Sequence, residues 1–188
     1  MKVYVAKTKM ENKINSGEYV IAYNEEDLEL PAFENLVTLM ELSKHSLYHV
    51  GFKMGEILTS LRNLLPEAKL GGAELEDLHA AYSHKLFNNR DLNIKMEVKN
   101  FVDGPTSEQY EVVFSDDVLH SNNLEEQKAI LKNMLASSSG YVVFFDKPCP
   151  DLIGYAKFLG HNVSSNDDVT IITKVEKKPD VTTNTKNK

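Results

Sequence analysis

Between Phe33 and Leu65 apolar side chains return at three- and four-residue steps: Phe33, Leu36, Val37, Met40, Leu47, Val50, Met54, Ile57, Leu58, Leu61 and Leu65. Residues spaced in this way share one face of an α-helix, and that face must be buried against another element. Pro31 suits the first helical turn, where its missing N–H has no partner to lose. A single helix of such length is uncommon in a compact domain, so a break is expected at Ser43 to Ser46. Pro66 to Gly72 reads as a turn, and Leu75, Leu78, Ala81, Tyr82 and Leu86 mark a second helix ended by Asn88 and Asn89. A short link makes the two helices antiparallel neighbours, so the spacing predicts a long helical hairpin.

Strand signals surround it. Val3 and Val5 face the run Tyr19 to Tyr23 across Asn15, Ser16 and Gly17, which predicts a hairpin. Leu92 to Val98 alternates apolar with polar, and Tyr110 to Phe114 answers it across Asp103, Gly104 and Pro105 as a second hairpin. Asn123 with Glu126 three residues on forms a capping box for a helix reaching Ala136. Tyr141 to Phe145 is apolar throughout, the pattern of a strand covered on both faces. A short helix from Asp151 to Leu159, closed by Gly160, leads to a last strand over Val169 to Val175. If these two strands are parallel neighbours, their crossover is right-handed. The expected architecture is a single α+β domain over residues 1–175. It has a mixed, mainly antiparallel sheet, a long helical hairpin and two shorter helices, in the order ββααββαβαβ. Residues 176–188, rich in Lys, Thr, Asn and Asp without apolar periodicity, read as a disordered tail.

The formal net charge is -7, and its placement matters more than its size. No basic residue lies between Lys13 and Lys44, whereas Glu18, Glu25, Glu26, Asp27, Glu29, Glu34 and Glu41 are all acidic. Affinity for nucleic acid comes from clustered Lys and Arg that displace counterions, so this balance argues against a nucleic-acid partner. Arg62 and Arg90 are the only arginines, which removes most of the bidentate forks used to read phosphate and base. The Lys-rich, Arg-poor composition tilts toward a phage or bacterial source, by association only. No run approaches the apolar length of a membrane-spanning helix, the start lacks the apolar core of a signal peptide, and Cys149 is alone. A cytoplasmic protein with no membrane partner is expected.

Leu28, Leu30 and Phe33 are interleaved with Glu25, Glu26, Asp27, Glu29 and Glu34, an apolar anchor inside an acidic rim that suits docking onto a basic protein surface. A solvated loop and helix-dipole complementation account for the same acids more plainly. His45 and His49 are four apart, one helix turn on the expected helix, and His84 or His79 on the next helix would complete a metal site. The plain alternative is polar histidines on a half-exposed face, and the Glu of a His-Glu-x-x-His motif is missing because Ser46 follows His45. Gly51 and Gly55, read inside the helix, would let Ala80 and Ala81 approach closely. Cys149 lies between a central strand and a helix start, with no second cysteine to resolve an oxidised thiol. Asp116 with Asp117, and Asp167 with Asp168, stand near His120 and His161, pairs able to serve hydrolysis, although Asp is also an ordinary turn residue.

No phosphate-binding glycine loop, serine-hydrolase elbow or paired-cysteine motif is present, so no catalytic residue is assigned and no cofactor is called for. The leading expectation is a small acidic interaction protein, inhibitory or regulatory, that binds a basic partner. The alternatives are a metal- or histidine-dependent hydrolase and a virion or assembly component that self-associates.

Overall fold

The computed structural model describes residues 2–4, 21–23 and 32–175. The acidic stretch 24–31 and the tail expected from Glu176 lie outside the described residues. Strands β1 (Lys2–Tyr4) and β2 (Ile21–Tyr23) pair antiparallel, as the amino-terminal hairpin predicts. Helix and strand then alternate as α1 (Phe33–Leu42), β3 (Ser46–Val50), α2 (Glu56–Leu64), β4 (Lys69–Glu74), α3 (Asp77–Asn89) and β5 (Ile94–Val98). The chain continues through β6 (Tyr110–Ser115), α4 (Leu124–Ser137), β7 (Ser138–Phe144), α5 (Pro150–Phe158), β8 (Asn162–Ser165) and β9 (Thr170–Thr173).

Seven of these strands form one sheet in the order β5-β4-β3-β6-β7-β9-β8. The first five in that row are mutually parallel; β9 runs antiparallel to β7, and β8 antiparallel to β9. Helices cover both faces. Leu36, Leu39, Ile57 and Leu61 of α1 and α2 pack on Leu47, Leu70, Val112, Phe114 and Val143. Ile130, Leu131 and Met134 of α4, with Leu152 and Ala156 of α5, pack on Tyr48, Val50, Val113, Val142 and Phe144. A mostly parallel sheet between two helical layers is the doubly wound α/β architecture.

This corrects the expected α+β fold, its mainly antiparallel sheet and its helical hairpin. The reason lies in β3. Leu47, Tyr48, His49 and Val50 are all buried, because the strand is covered on both faces and has neighbours on both edges. A short apolar run of that kind fits the same intervals as a helix, and only its flanks reveal it. Ser43 is the flank that stops α1. Its hydroxyl accepts from the N–H groups of His45 (3.0 Å) and Ser46 (3.3 Å) and donates to Glu111, a local side-chain alternative to further helix.

The turn expected at Pro66 to Gly72 is half strand. A Cβ on Gly71 would lie 2.7 Å from the Tyr110 hydroxyl, and one on Gly72 2.6 Å from the Phe52 ring. These glycines of β4 therefore serve close packing rather than a bend. The second hairpin does not form either: β5 is an edge strand, and β4 and β3 separate it from β6. Residues 99–109 are a crossover, and Gly104 sits within it. Antiparallel pairing of β7 with β9 likewise replaces the conditional parallel crossover.

Candidate functional site

The chain winds outward from β3 to β4 and β5, then returns to the other side of β3 and continues as β6 and β7. Beyond the carboxyl ends of strands at such a reversal, helical connections depart in opposite directions and leave a crevice. A cleft of about 270 Å³ opens there, with Lys53, Glu74, Glu76, Lys99, Asn100 and Asp117 among its lining. A larger hollow of about 470 Å³ lies at the amino ends of the strands, against Arg62, Lys69 and Tyr110. It is distant from the reversal, so size does not select the site.

The turn from β3 into α2 shapes the floor. Gly51, Lys53 and Gly55 have φ of 73°, 50° and 85°, so three residues in five are left-handed. A Cβ on Gly51 would stand 2.3 Å from Val118 and one on Gly55 2.6 Å from Phe87. Both glycines are therefore required in conformation and in space. This corrects their placement inside a helix beside Ala80 and Ala81. The Gly51 N–H donates to Ala73 at 2.8 Å, tying the turn to β4.

Glu74 ends β4 and is 7% exposed. Its Oε2 accepts the Lys53 N–H at 2.7 Å, and its Oε1 accepts the N–H groups of Leu75 and Glu76 at 2.9 Å each. A carboxylate offers about four lone-pair sites, so three are occupied by backbone and one remains, on Oε2. Across the cleft, at the end of β6, Asp116 Oδ1 meets His49 Nε2 at 3.0 Å. Lys53 Nζ lies 3.1 Å from Asp117 and 3.9 Å from Asp116. Burial raises the Asp116 carboxyl, but His49 and then Lys53 outweigh it and hold it below its ordinary range. The Lys53 ammonium loses some affinity for its proton to burial and regains more from Asp117 and Asp116, so it is held upward.

Of the residues singled out in the sequence, Glu25, Glu26, Asp27, Leu28, Glu29 and Leu30 lie outside the described residues. Phe33 opens α1, and Glu34 is exposed beside it. His45 is exposed in the bend before β3, His49 is buried within that strand, and His84 is exposed on α3 against Asn88. His45 and His49 therefore share no helix face, and no group of three His, Cys, Asp or Glu able to hold a metal occurs among the described residues. His79 reaches the cleft and pairs with Glu76 at 3.2 Å. Cys149 precedes α5, its thiol 3.6 Å from the Gln127 amide oxygen. Asp116 and Asp117 do converge on the site. Sequence reasoning missed Lys53 and Glu74. The available signal was Gly51 and Gly55 followed, about 20 residues later, by an acid ending an apolar run, the spacing of nucleoside-binding βαβ units.

No family model matches the chain, and no curated protein sequence matches it. Solved structures do. Magnesium protoporphyrin IX methyltransferase from Synechocystis PCC 6803, solved with bound S-adenosylmethionine, superposes with a TM-score of 0.61 at 12% identity over 76% of this chain and 76% of its own. An O-methyltransferase family protein from Burkholderia thailandensis gives 0.59 at 13% identity, over 74% of this chain and 54% of its own. The pyocyanin biosynthetic protein PhzM gives 0.57 at 12% identity, over 76% and 53%. The chain thus spans three quarters of the first and about half of the other two.

The chain shares the Rossmann-like fold of these solved structures, among them a methyltransferase with bound S-adenosylmethionine. That finding corrects the functional reading of the sequence as a regulatory, inhibitory or phage-encoded protein-binding module, as a virion component or as a hydrolase. That reading rests on the localisation of acidic residues and on the lack of a recognised catalytic motif. Among the described residues no helix is long and apolar enough to cross a membrane.

Proposed function

We propose that the chain binds S-adenosylmethionine at the carboxyl ends of β3, β4 and β6 and transfers its methyl group to an acceptor. One observation carries this reading: Glu74, buried at the end of β4, keeps one carboxylate lone pair beside the cleft. A ribose hydroxyl is the donor such a group accepts in nucleoside-binding βαβ folds. The bound cofactor supplies an electrophilic methyl group on a sulfonium. The protein's own contribution is position and charge. Three backbone N–H groups, two on Oε1 and one on Oε2, fix the Glu74 carboxylate, so little reorganisation is needed to accept a hydroxyl. Asp116, held below its ordinary range, stays ionised near neutral pH and anchors His49 and Lys53 rather than taking up a proton.

Glu74→Gln keeps size and one acceptor while removing the charge. Losing a hydrogen bond to a charged group costs about 1.5–3 kcal/mol, so equilibrium dialysis should show S-adenosylmethionine affinity falling about 10- to 100-fold. Unchanged affinity in the variant contradicts the reading, as does absence of binding by the unaltered protein.

A further inference from the structure

We infer that the Lys53–Asp117 ion pair is the recognition element for the zwitterionic amino-acid end of the cofactor, an inference that rests on the binding reading above. The ammonium of Lys53 would receive the α-carboxylate, and the carboxylate of Asp117 the α-ammonium. The pair stands 3.1 Å apart, both side chains are about half exposed, and both line the cleft. Two opposite charges side by side mirror an α-amino acid, whose own two charges are a similar distance apart.

Stability does not account for a lysine at this position. Its φ of 50° is a conformation that side chains other than Gly, Asn and Asp seldom adopt. Half-exposed ion pairs contribute little to folding. Strain without a stabilising return marks positions kept for function. Its backbone is committed as well: the N–H holds Glu74 at 2.7 Å and the carbonyl accepts the Ser83 hydroxyl at 2.9 Å. One residue therefore joins the carboxylate proposed for the ribose to the charges proposed for the amino acid. Asp116 and His49 keep this arrangement in place from beneath, Asp116 lying 3.9 Å from the Lys53 ammonium and 3.0 Å from His49.

Two probes separate the halves of the ligand. S-adenosylhomocysteine carries the amino-acid end, and 5′-methylthioadenosine has the same nucleoside and thioether without it. By calorimetric titration the unaltered protein should bind the first more tightly than the second. Lys53→Met keeps the backbone N–H to Glu74 and most of the side-chain stem. It should weaken S-adenosylhomocysteine about 10- to 100-fold and leave 5′-methylthioadenosine within about 2-fold, whereas Glu74→Gln weakens both. Lys53→Gly relieves the backbone strain, so it should melt no lower than the unaltered protein without ligand yet lose the same affinity, which excludes a folding defect.

If S-adenosylhomocysteine binds equally well to the unaltered protein and both Lys53 variants, the inference is overturned and the cofactor reading stands. The inference is also overturned, with the cofactor reading intact, if the unaltered protein binds 5′-methylthioadenosine as tightly as S-adenosylhomocysteine. If neither nucleoside binds the unaltered protein, the cofactor reading itself fails and takes the inference with it.

Discussion

Asp116 and Asp146 follow neighbouring strands at one end of the sheet, yet their carboxyls are displaced in opposite directions. Burial raises both; at Asp116 His49 and Lys53 reverse the result, and at Asp146 the Leu119 N–H at 2.8 Å does not. The Asp146 Oδ1 is buried without a partner. Asp116 titrates below its ordinary value of 3.8 in the folded chain, so it contributes stability above that value that is lost as pH falls through the lower folded pKa. Asp146 titrates above 3.8, so its favourable contribution is complete below that value and is lost as pH rises through the higher folded pKa. Asp116→Asn should therefore destabilise the protein at pH 7 by about 2 kcal/mol, and Asp146→Asn should stabilise it there. Denaturant melts at pH 7 and at pH 3 should show both differences shrinking in acid; the same sign for both substitutions would contradict the assignment.

At the scale of elements, legibility depends on whether a segment carries its own boundary chemistry. The start of α4 is legible because the cap is local: Asn123 accepts from Glu125 and Glu126 at 3.0 and 3.1 Å, and its N–H donates to Glu126 at 2.9 Å. Asn123→Ala should cost about 1 kcal/mol, a lower melting temperature with cofactor affinity unaltered. Helix α5 is legible through Gly160, which closes it at φ 91°, although it begins at Pro150, one residue before the expected start, and β7 is legible through its apolar run. By contrast β3 fits a helical spacing, and β4 carries the two glycines of a turn. Both carry the site, so misreading them hides it. His49, Gly51, Gly55, Asp116 and Asp117 stand out in the sequence, but in other surroundings than the strand ends and the turn where the structure places them, while Lys53 and Glu74 acquire meaning only once strands flank them. Nothing local distinguishes a lysine at φ 50° from any other lysine.

For the whole molecule, parallel pairing is the part least visible in sequence. A hairpin announces itself by its turn, but Leu47 of β3 meets Val112 of β6 with β4, β5 and two helices between them in the chain, and no local mark records the partnership. Strand order in turn decides where the two halves diverge, and so which end of the sheet can hold a ligand. The most direct measurement is a crystal structure of the protein with S-adenosylhomocysteine. The account predicts the nucleoside between the ends of β3, β4 and β6, a ribose hydroxyl about 2.6–2.8 Å from Glu74 Oε2. Ligand bound instead in the hollow beside Arg62 and Lys69, or ligand in the cleft with its ribose turned away from Glu74, would contradict it.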